Sequence, residues 1–409
     1  MASDGRLRVA MVSIHSCPVG RLGTRDTGGM SAYIRELSAE IGRRGHLVDI
    51  YTRAHDPEEE EVIVIGDNVR LIHSRVGEIE DVPKLVLYAH LEEAACSVEG
   101  FRKRDGARYD LVHSHYWLSG WAGRRISGWW GVPHITMFHT LAAAKNATGV
   151  GEEEPDLRIA TELELVRDCD LVIAPTERER AELIRYYDAS PDTISVVPCG
   201  VNLSLFRPVD REHARRHLGL NGGNIVLFVG RVDPLKGLDK LLGALQRLGS
   251  TARPDLVVAG GGEESAGELA RLQGLCRELR IQDSVIFAGV VKHEDLPYYY
   301  SAADLSVVPS YYESFGLAAL ESLACGTPVV ATRVGGIENV VCSGKNGYIV
   351  ESNAPDELAA GIASALANGN GSRQAVRNTV AEMGWAVVAD RIIDRYRSVL
   401  GTSRQPALT

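Results

Sequence analysis

The chain has 409 residues, 45% of them hydrophobic and 24% charged, the ordinary make-up of a soluble globular protein. Its 44 Lys+Arg against 54 Asp+Glu leave a net charge of −10. That balance excludes a general nucleic-acid binder, which needs a basic face to neutralise phosphates, but it leaves room for one local basic pocket around a small phosphorylated ligand. Only 7 of the 44 basic residues are Lys, so a Lys inside a motif carries more weight than usual.

At about 150 residues per domain the length corresponds to two or three domains. The N-terminal stretch has no basic segment leading into an apolar run, and no apolar stretch approaches the ~20 residues of a membrane span. The expectation is a cytoplasmic protein without a membrane span. The seven Cys include no C-x-x-C and read as reduced thiols.

In chain order, short apolar runs fall at residues 9–14, 48–51, 110–113, 134–138, 171–174 and 194–197. A second series follows at 225–229, 256–259, 285–287, 305–308 and 328–331. Near-continuous Val/Ile/Leu runs fit parallel strands buried on both faces. Amphipathic stretches separate them. Met30, Tyr33, Ile34, Leu37 and Ile41 share one helical face, and Gly42 and Gly45 mark that helix's end. Alternating strands and helices mean an α/β architecture with doubly wound parallel sheets, and there are more strands than one open sheet usually holds. The turn-rich segment 198–208 (PCGVNLSLFRP) precedes a restart at NIVLFVGR. The expected units are therefore 1–200, 201–384 and a final helix within 385–409. Doubly wound sheets bind ligands at the carboxyl ends of their strands, so two facing sheets form a cleft.

Three loops carry the chemistry. Asp26-Thr27-Gly28-Gly29-Met30 follows the first strand and opens a helix, where glycines let backbone N–H groups approach an anion; a flexible loop with an ordinary helix start fits the same residues. After the run at 225–229 comes Gly230-Arg231-Val232-Asp233-Pro234-Leu235-Lys236-Gly237, with Arg231 offering a fork and Lys236 a movable point charge to a diphosphate. After the run at 305–308 comes ESFGLAALE (313–321). Glu313 is read on the loop, Phe315 to Leu317 as the opening of a helix whose free N–H groups face a phosphate, and Glu321 about 7.5 Å further along that helix, within reach of a ribose. His113 and His115 alternate on a strand without a third ligand, and His213 and His217 sit one helical turn apart without the Glu of H-E-x-x-H, so no metal site is expected. The run Gly260-Gly261-Gly262-Glu263 is not G-x-G-x-x-G and gives poor support to a nicotinamide site.

Taken in order, these residues resemble the retaining GT-B glycosyltransferases of family 4. The likeness covers nearly the whole chain and is most specific at ESFGLAALE and GRVDPLK. In the N-terminal half, DTGGM (26–30), HSHYWLSG (113–120), HTLAAAKN (139–146) and RYYDASPDTISVVPCG (185–200) are closest to members that act on an inositol phosphate. The resemblance implies two Rossmann-like domains, an N-terminal one for the acceptor and a C-terminal one for a nucleotide sugar, with the last helix crossing back onto the first domain. It makes Arg231 and Lys236 diphosphate ligands, Glu313 and the N–H groups of Phe315, Gly316 and Leu317 ligands of the sugar and distal phosphate, and Glu321 the ribose ligand. The loop around Val291 lies against the base, Gly29 approaches the donor from the other domain, and His139 lies beside the reacting carbon. His139, Arg231, Lys236 and Glu313 are thus the implied catalytic set. Tyr116, Thr140 and Arg158 match positions that hold an acceptor phosphate, although Arg158 sits in an acidic stretch and could pair with a neighbour instead.

Two positions depart from the family pattern. Ser31 stands where the family has Asn, and Ile79 where it has Lys if Pro83 is equivalent, with Lys84 nearby. The implied reaction moves a hexosyl or N-acetylglucosaminyl group from a UDP-sugar to a small phosphorylated acceptor, an inositol phosphate or a sugar phosphate, without a cofactor or metal. A homodimer is one assembly the resemblance allows. A nucleotide-sugar 2-epimerase and a non-catalytic sugar-nucleotide sensor stay open as other readings.

Overall fold

The structure is a computed structural model that describes residues 5–19, 28–77, 82–220, 223–249, 253–262, 265–368 and 372–403. Asp26, Thr27, Ile79 and Glu263 lie outside the described residues.

Two sheets account for the two series of apolar runs. The first holds β1 (Arg8–Val12), β2 (Leu47–Arg53), β3 (Val62–Gly66), β4 (Val69–Ser74), β5 (Leu111–His115), β6 (His134–Met137), β7 (Leu171–Ala174) and β8 (Ile194–Val196), in the spatial order β3-β4-β2-β1-β5-β6-β7-β8. Its pairings are parallel except β3–β4. The second holds β9 (Ile225–Val229), β10 (Asp255–Ala259), β11 (Val285–Gly289), β12 (Leu305–Val308), β13 (Val329–Thr332) and β14 (Gly347–Val350), in the order β11-β10-β9-β12-β13-β14, all parallel. The apolar runs find the strands other than β3, β4 and β14. β3 lies at an edge, where Val64 is 74% exposed, so its apolar residues are not the mark of burial they are elsewhere.

In each sheet the order reverses at one strand: β1 lies between β2 and β5, and β9 between β10 and β12. Ligands of open α/β sheets bind outside the carboxyl ends at such switch points. The helix Gly29–Arg43 starts beyond β1, the Arg231–Lys236 loop follows β9, and the ESFGLAALE segment follows β12. Both switch points therefore carry one of the loops singled out by sequence.

The chain passes between the sheets twice, side by side. Val201 N–H donates to Met383 O at 2.9 Å, and Val201 pairs with Gly384 as an isolated bridge. The last helix, Trp385–Ser403, then lies on the first domain. It buries Trp385, Val388, Ala389, Ile392, Ile393 and Tyr396. Trp385 meets Tyr33 of the helix Gly29–Arg43 edge-on at 5.1 Å between ring centroids, and Arg44 binds Asp390 and the Ala386 carbonyl at 2.6 and 2.7 Å. No described helix is long and apolar enough to cross a membrane. The seven cysteines form no disulfide bond, and five of them are buried.

Candidate functional site

The donor-side loops of the second sheet are tied together. Asp233 caps the turn Pro234–Lys236 by accepting from Leu235 N–H at 2.8 Å, and Leu235 O accepts from Tyr311 N–H at 2.8 Å. This brings the Lys236 ammonium 2.6 Å from Glu313 Oε2. Arg231 stands beside them on the same strand end, its side chain 48% exposed and 3.9 Å from Asp233. Two cations and one carboxylate thus share the mouth of β9 and β12.

The helix after β12 is Leu317–Ala324, starting two residues later than the sequence reading. Gly316 is its N-cap at φ +95, left-handed backbone that favours glycine. That conformation separates Phe315 from the helix, and the Phe315 ring is only 3% exposed, in the core. The free first-turn N–H groups still point outward from the strand end, as an anion site requires.

Glu321 is held in place by residues the sequence reading did not select. Tyr300 O–H donates to its Oε2 at 2.9 Å, and His293 Nε2 lies 3.5 Å from its Oε1. Arg35 Nη2 is 3.2 Å from His293 Nδ1. A guanidinium only donates, so Nδ1 accepts and the ring proton sits on Nε2, facing Glu321. Val291 packs at the edge of the core two residues before His293.

The first sheet presents the other wall. Tyr116 follows β5 with φ +78, and His139 follows β6 with φ +61. Non-glycine residues in that region cost on the order of 1–3 kcal/mol and cluster at functional sites. His139 Nε2 and His115 Nδ1 are 2.9 Å apart, one donating and one accepting. Loss of water around the His139 ring pushes its pKa down to about 3, which disfavours its charged form. His113, with Nδ1 2.7 Å from the Tyr396 hydroxyl, belongs to the packing of the last helix, and His213 and His217 stack in line with Tyr298. Among the described residues no cluster of three His, Cys, Asp or Glu side chains could hold a metal ion.

Tyr116, Thr140 and Arg158 come together. The Arg158 guanidinium lies 4.6 Å from the centre of the Tyr116 ring and donates from Nη2 to Thr140 O and Oγ1 at 2.7 and 2.9 Å. It also pairs with Glu162 at 2.7 Å and Glu154 at 2.9 Å while only 1% exposed. The acidic neighbours of the sequence reading are therefore its partners. Lys84 Nζ sits 5.5 Å from the Tyr116 ring centre on the helix Lys84–Tyr88, a second cation beside that ring. Ser31 is buried, with its Oγ 2.6 Å from Ser16 Oγ.

The walls meet. A Cβ on Gly29 would lie 3.0 Å from Leu317 Cδ1, and Tyr312 O–H is bound by Leu141 N–H at 3.2 Å, two residues from His139. The Gly29, His139 and Thr140 region thus faces the Glu313 loop.

Two doubly wound sheets facing across a cleft, with Arg231, Lys236 and a helix start on one wall, are the arrangement of the GT-B glycosyltransferases. The family model described as "Glycosyltransferase Family 4" matches residues 27–205, and that described as "Glycosyl transferases group 1" matches residues 210–382. The D-inositol 3-phosphate glycosyltransferase of Corynebacterium jeikeium is 42% identical over 365 residues, 86% of this chain and 87% of the relative. That of Acidothermus cellulolyticus is 39% identical over 417 residues, 98% of this chain and 92% of the relative. Among solved structures, sucrose-phosphate synthase from Thermosynechococcus elongatus superposes with a TM-score of 0.89 at 32% identity, covering 97% of this chain and all of that one. Anabaena HepE, in complex with UDP and glucose, superposes with a TM-score of 0.76 at 18% identity, a likeness of fold alone, covering 96% of this chain and all of that one. The chain belongs to glycosyltransferase family 4.

Proposed function

We propose that the protein transfers a hexosyl or N-acetylglucosaminyl group from a UDP-sugar to a small phosphorylated acceptor, an inositol phosphate or a sugar phosphate, with retention of anomeric configuration. The observation that carries this reading is the apposition of Gly29 and the His139–Leu141 strand end against the Glu313–Leu317 side of the cleft. On this reading Arg231 and Lys236 meet a diphosphate on one side of the cleft and Lys84, beside Tyr116, meets the acceptor on the other. The printed names of the two relatives, both D-inositol 3-phosphate glycosyltransferases, support a phosphorylated acceptor.

The residues divide the work by charge. As the glycosidic bond to the diphosphate breaks, negative charge grows on the leaving oxygen. Arg231, Lys236 and the first-turn N–H groups of the helix Leu317–Ala324 stabilise it there, a preorganised electrostatic effect. Glu321 takes the ribose, and Glu313, anchored on Lys236, faces the sugar. Among the described residues this reading assigns no carboxylate pair to flank the reacting carbon as in glycosidases, and burial disfavours the charged form of His139. The reading therefore has the acceptor attack from the face the diphosphate leaves, with the leaving oxygen accepting the acceptor's proton.

UDP release from UDP-glucose and UDP-N-acetylglucosamine, with and without an acceptor panel, tests the proposal. Release that requires a phosphorylated acceptor is expected. Turnover of the sugar nucleotide without any acceptor would instead mark an epimerase, and binding without turnover a sensor.

Two further outcomes follow from the charges. Because the diphosphate is met by Arg231, Lys236 and helix N–H groups, activity is expected to survive excess EDTA; loss on chelation with recovery in Mg²⁺ would mean the diphosphate needs a cation this account omits. Lys84→Ala is expected to raise KM for the phosphorylated acceptor roughly tenfold, the worth of one charge-assisted contact. KM for the UDP-sugar should stay put. An unchanged acceptor KM would remove Lys84 from the pocket.

A further inference from the structure

The helix Glu177–Tyr187 follows β7 and begins with Thr176-x-x-Glu179, the spacing of a capping box, in which the Glu side chain turns back to its own helix start. Half of the box is present: Thr176 Oγ1 accepts from Glu179 N–H at 3.0 Å. The other half is not. The Glu179 carboxyl reaches across to the other domain, where its Oε2 accepts from Ser314 O–H at 2.7 Å. Ser314 lies between Glu313 and Phe315 of the donor loop. Glu179 is buried, and its Oε1 has no hydrogen-bond partner among the described residues.

The contact is close packed as well as hydrogen-bonded. A Cβ on Gly336 would stand 2.6 Å from Thr176 Cγ2 and 3.0 Å from the Phe315 backbone. The start of an N-terminal-domain helix, the donor loop and the 335–336 turn thus form one three-way junction with no room for a side chain. The groups that act on Glu179 are Ser314 and the carboxylates Glu182 and Glu162. Tyr312 and the buried Cys199 thiol also feel its charge, and Cys199 feels that of Glu313 too. No cation acts on the carboxyl among the described residues.

We infer that Glu179 is a positioning residue for the donor site: through Ser314 it holds the loop that carries Glu313 and the helix start at Gly316 against the N-terminal domain. This rests on the donor-site reading above. An ionised carboxylate in this place would be buried with one oxygen unpaired and two carboxylates nearby, which is costly; a protonated carboxyl needs no counter-charge. Burial accordingly pushes Glu179 up to about 8. When the domains part and the carboxyl meets water, its value returns towards the ordinary ~4.3. The docked arrangement therefore binds a proton that the parted one does not. Docking is fully favoured below the solvated value, weakens as pH rises from there through about 8, and changes no further above it.

Hydrogen–deuterium exchange of the peptide spanning 311–320 in the full chain, corrected for intrinsic rates, reads the loop's opening directly and without any donor. In the wild type, opening is expected to increase between pH 5.5 and 8 by up to about tenfold per unit. Glu179→Gln copies the neutral carboxyl, so protection at pH 5.5 should be kept and the pH response lost. Ser314→Ala removes the hydroxyl without touching Glu179 and should raise opening at pH 5.5 roughly two- to tenfold, the worth of one hydrogen bond. With UDP-sugar as substrate, KM for the donor should climb over the same pH range in the wild type but not in Glu179→Gln. Opening in the wild type that ignores pH, or a Glu179→Gln protein that responds to pH as the wild type does, would overturn the inference. Absence of UDP-sugar turnover with the expected exchange pattern would overturn the functional reading and leave the junction standing.

Discussion

Lys236→Ala is expected to lower turnover at saturating UDP-sugar by on the order of 10²-fold, the usual cost of removing one preorganised contact to developing charge. The ammonium sits 2.6 Å from Glu313 at the mouth of β9 and β12, beside a helix start whose N–H groups supply only partial charge. Ground-state UDP-sugar already carries two diphosphate charges, so part of the Lys236 contact is uniform binding and will show in KM. The part that grows as the bond breaks will show in kcat. The loss in kcat should exceed the loss in affinity. A secondary effect adds to it: without Lys236, Glu313 has no partner and repels the diphosphate. Lys236→Ala/Glu313→Gln should therefore recover some donor affinity but little rate. Steady-state kinetics at saturating donor checks this, and near wild-type turnover would remove Lys236 from the reaction.

Arg158→Ala is expected to destabilise the fold by about 3–5 kcal/mol, the range for breaking a buried ion pair by deleting one partner. Glu162, its partner, is fully buried and keeps only Tyr187 O–H at 2.5 Å and Ala142 N–H at 3.0 Å when the arginine is gone. Thr140 loses the donor of two hydrogen bonds in the same step. The melting temperature should fall by on the order of 10 °C for a domain of this size. Arg158→Ala/Glu162→Gln should regain part of that, since no bare charge is then left buried. A single variant melting like the wild type would show that the pair is not a structural one. The guanidinium is so fully engaged that an acceptor phosphate can reach it only in exchange for Glu154, the more exposed of its two carboxylate partners. Lys84→Ala leaves the buried Arg158 pairs in place, which makes it the better probe of acceptor binding.

Much of this site was legible because its parts are local. GRVDPLK follows an apolar strand directly and ESFGLAALE follows another after four intervening residues, and a strand end in a parallel sheet faces the cleft wherever the rest of the chain goes. The first-helix face from Tyr33 to Ile41 is likewise a matter of period. What could not be read depends on distant segments meeting. The residues that fix Glu321 come from Tyr300 and from Arg35 through His293, the last two 258 positions apart. Ser314 and Glu179 are 135 apart. Thr176-x-x-Glu179 reads locally as a helix start, and only the second domain turns its carboxyl to another use. Phe315 shows the converse limit. The string around it fits a helix, but the left-handed Gly316 delays the helix and sends the ring into the core. The alternation of His113 and His115 was visible as a pair without a third ligand; that His115 meets His139 depends on β5 and β6 being neighbours.

The most direct test compares kcat/KM for a phosphorylated acceptor with that for its unphosphorylated counterpart, inositol 1-phosphate against inositol and a hexose phosphate against the free hexose, under saturating UDP-sugar. With Lys84 beside Tyr116 at the acceptor wall, the phosphorylated form should be preferred by about tenfold or more, the worth of one charge-assisted contact. Most of that preference should sit in KM and shrink in Lys84→Ala. Equal kcat/KM for the two forms would contradict the account, because the cationic pocket opposite the donor loop would then have no phosphate to bind.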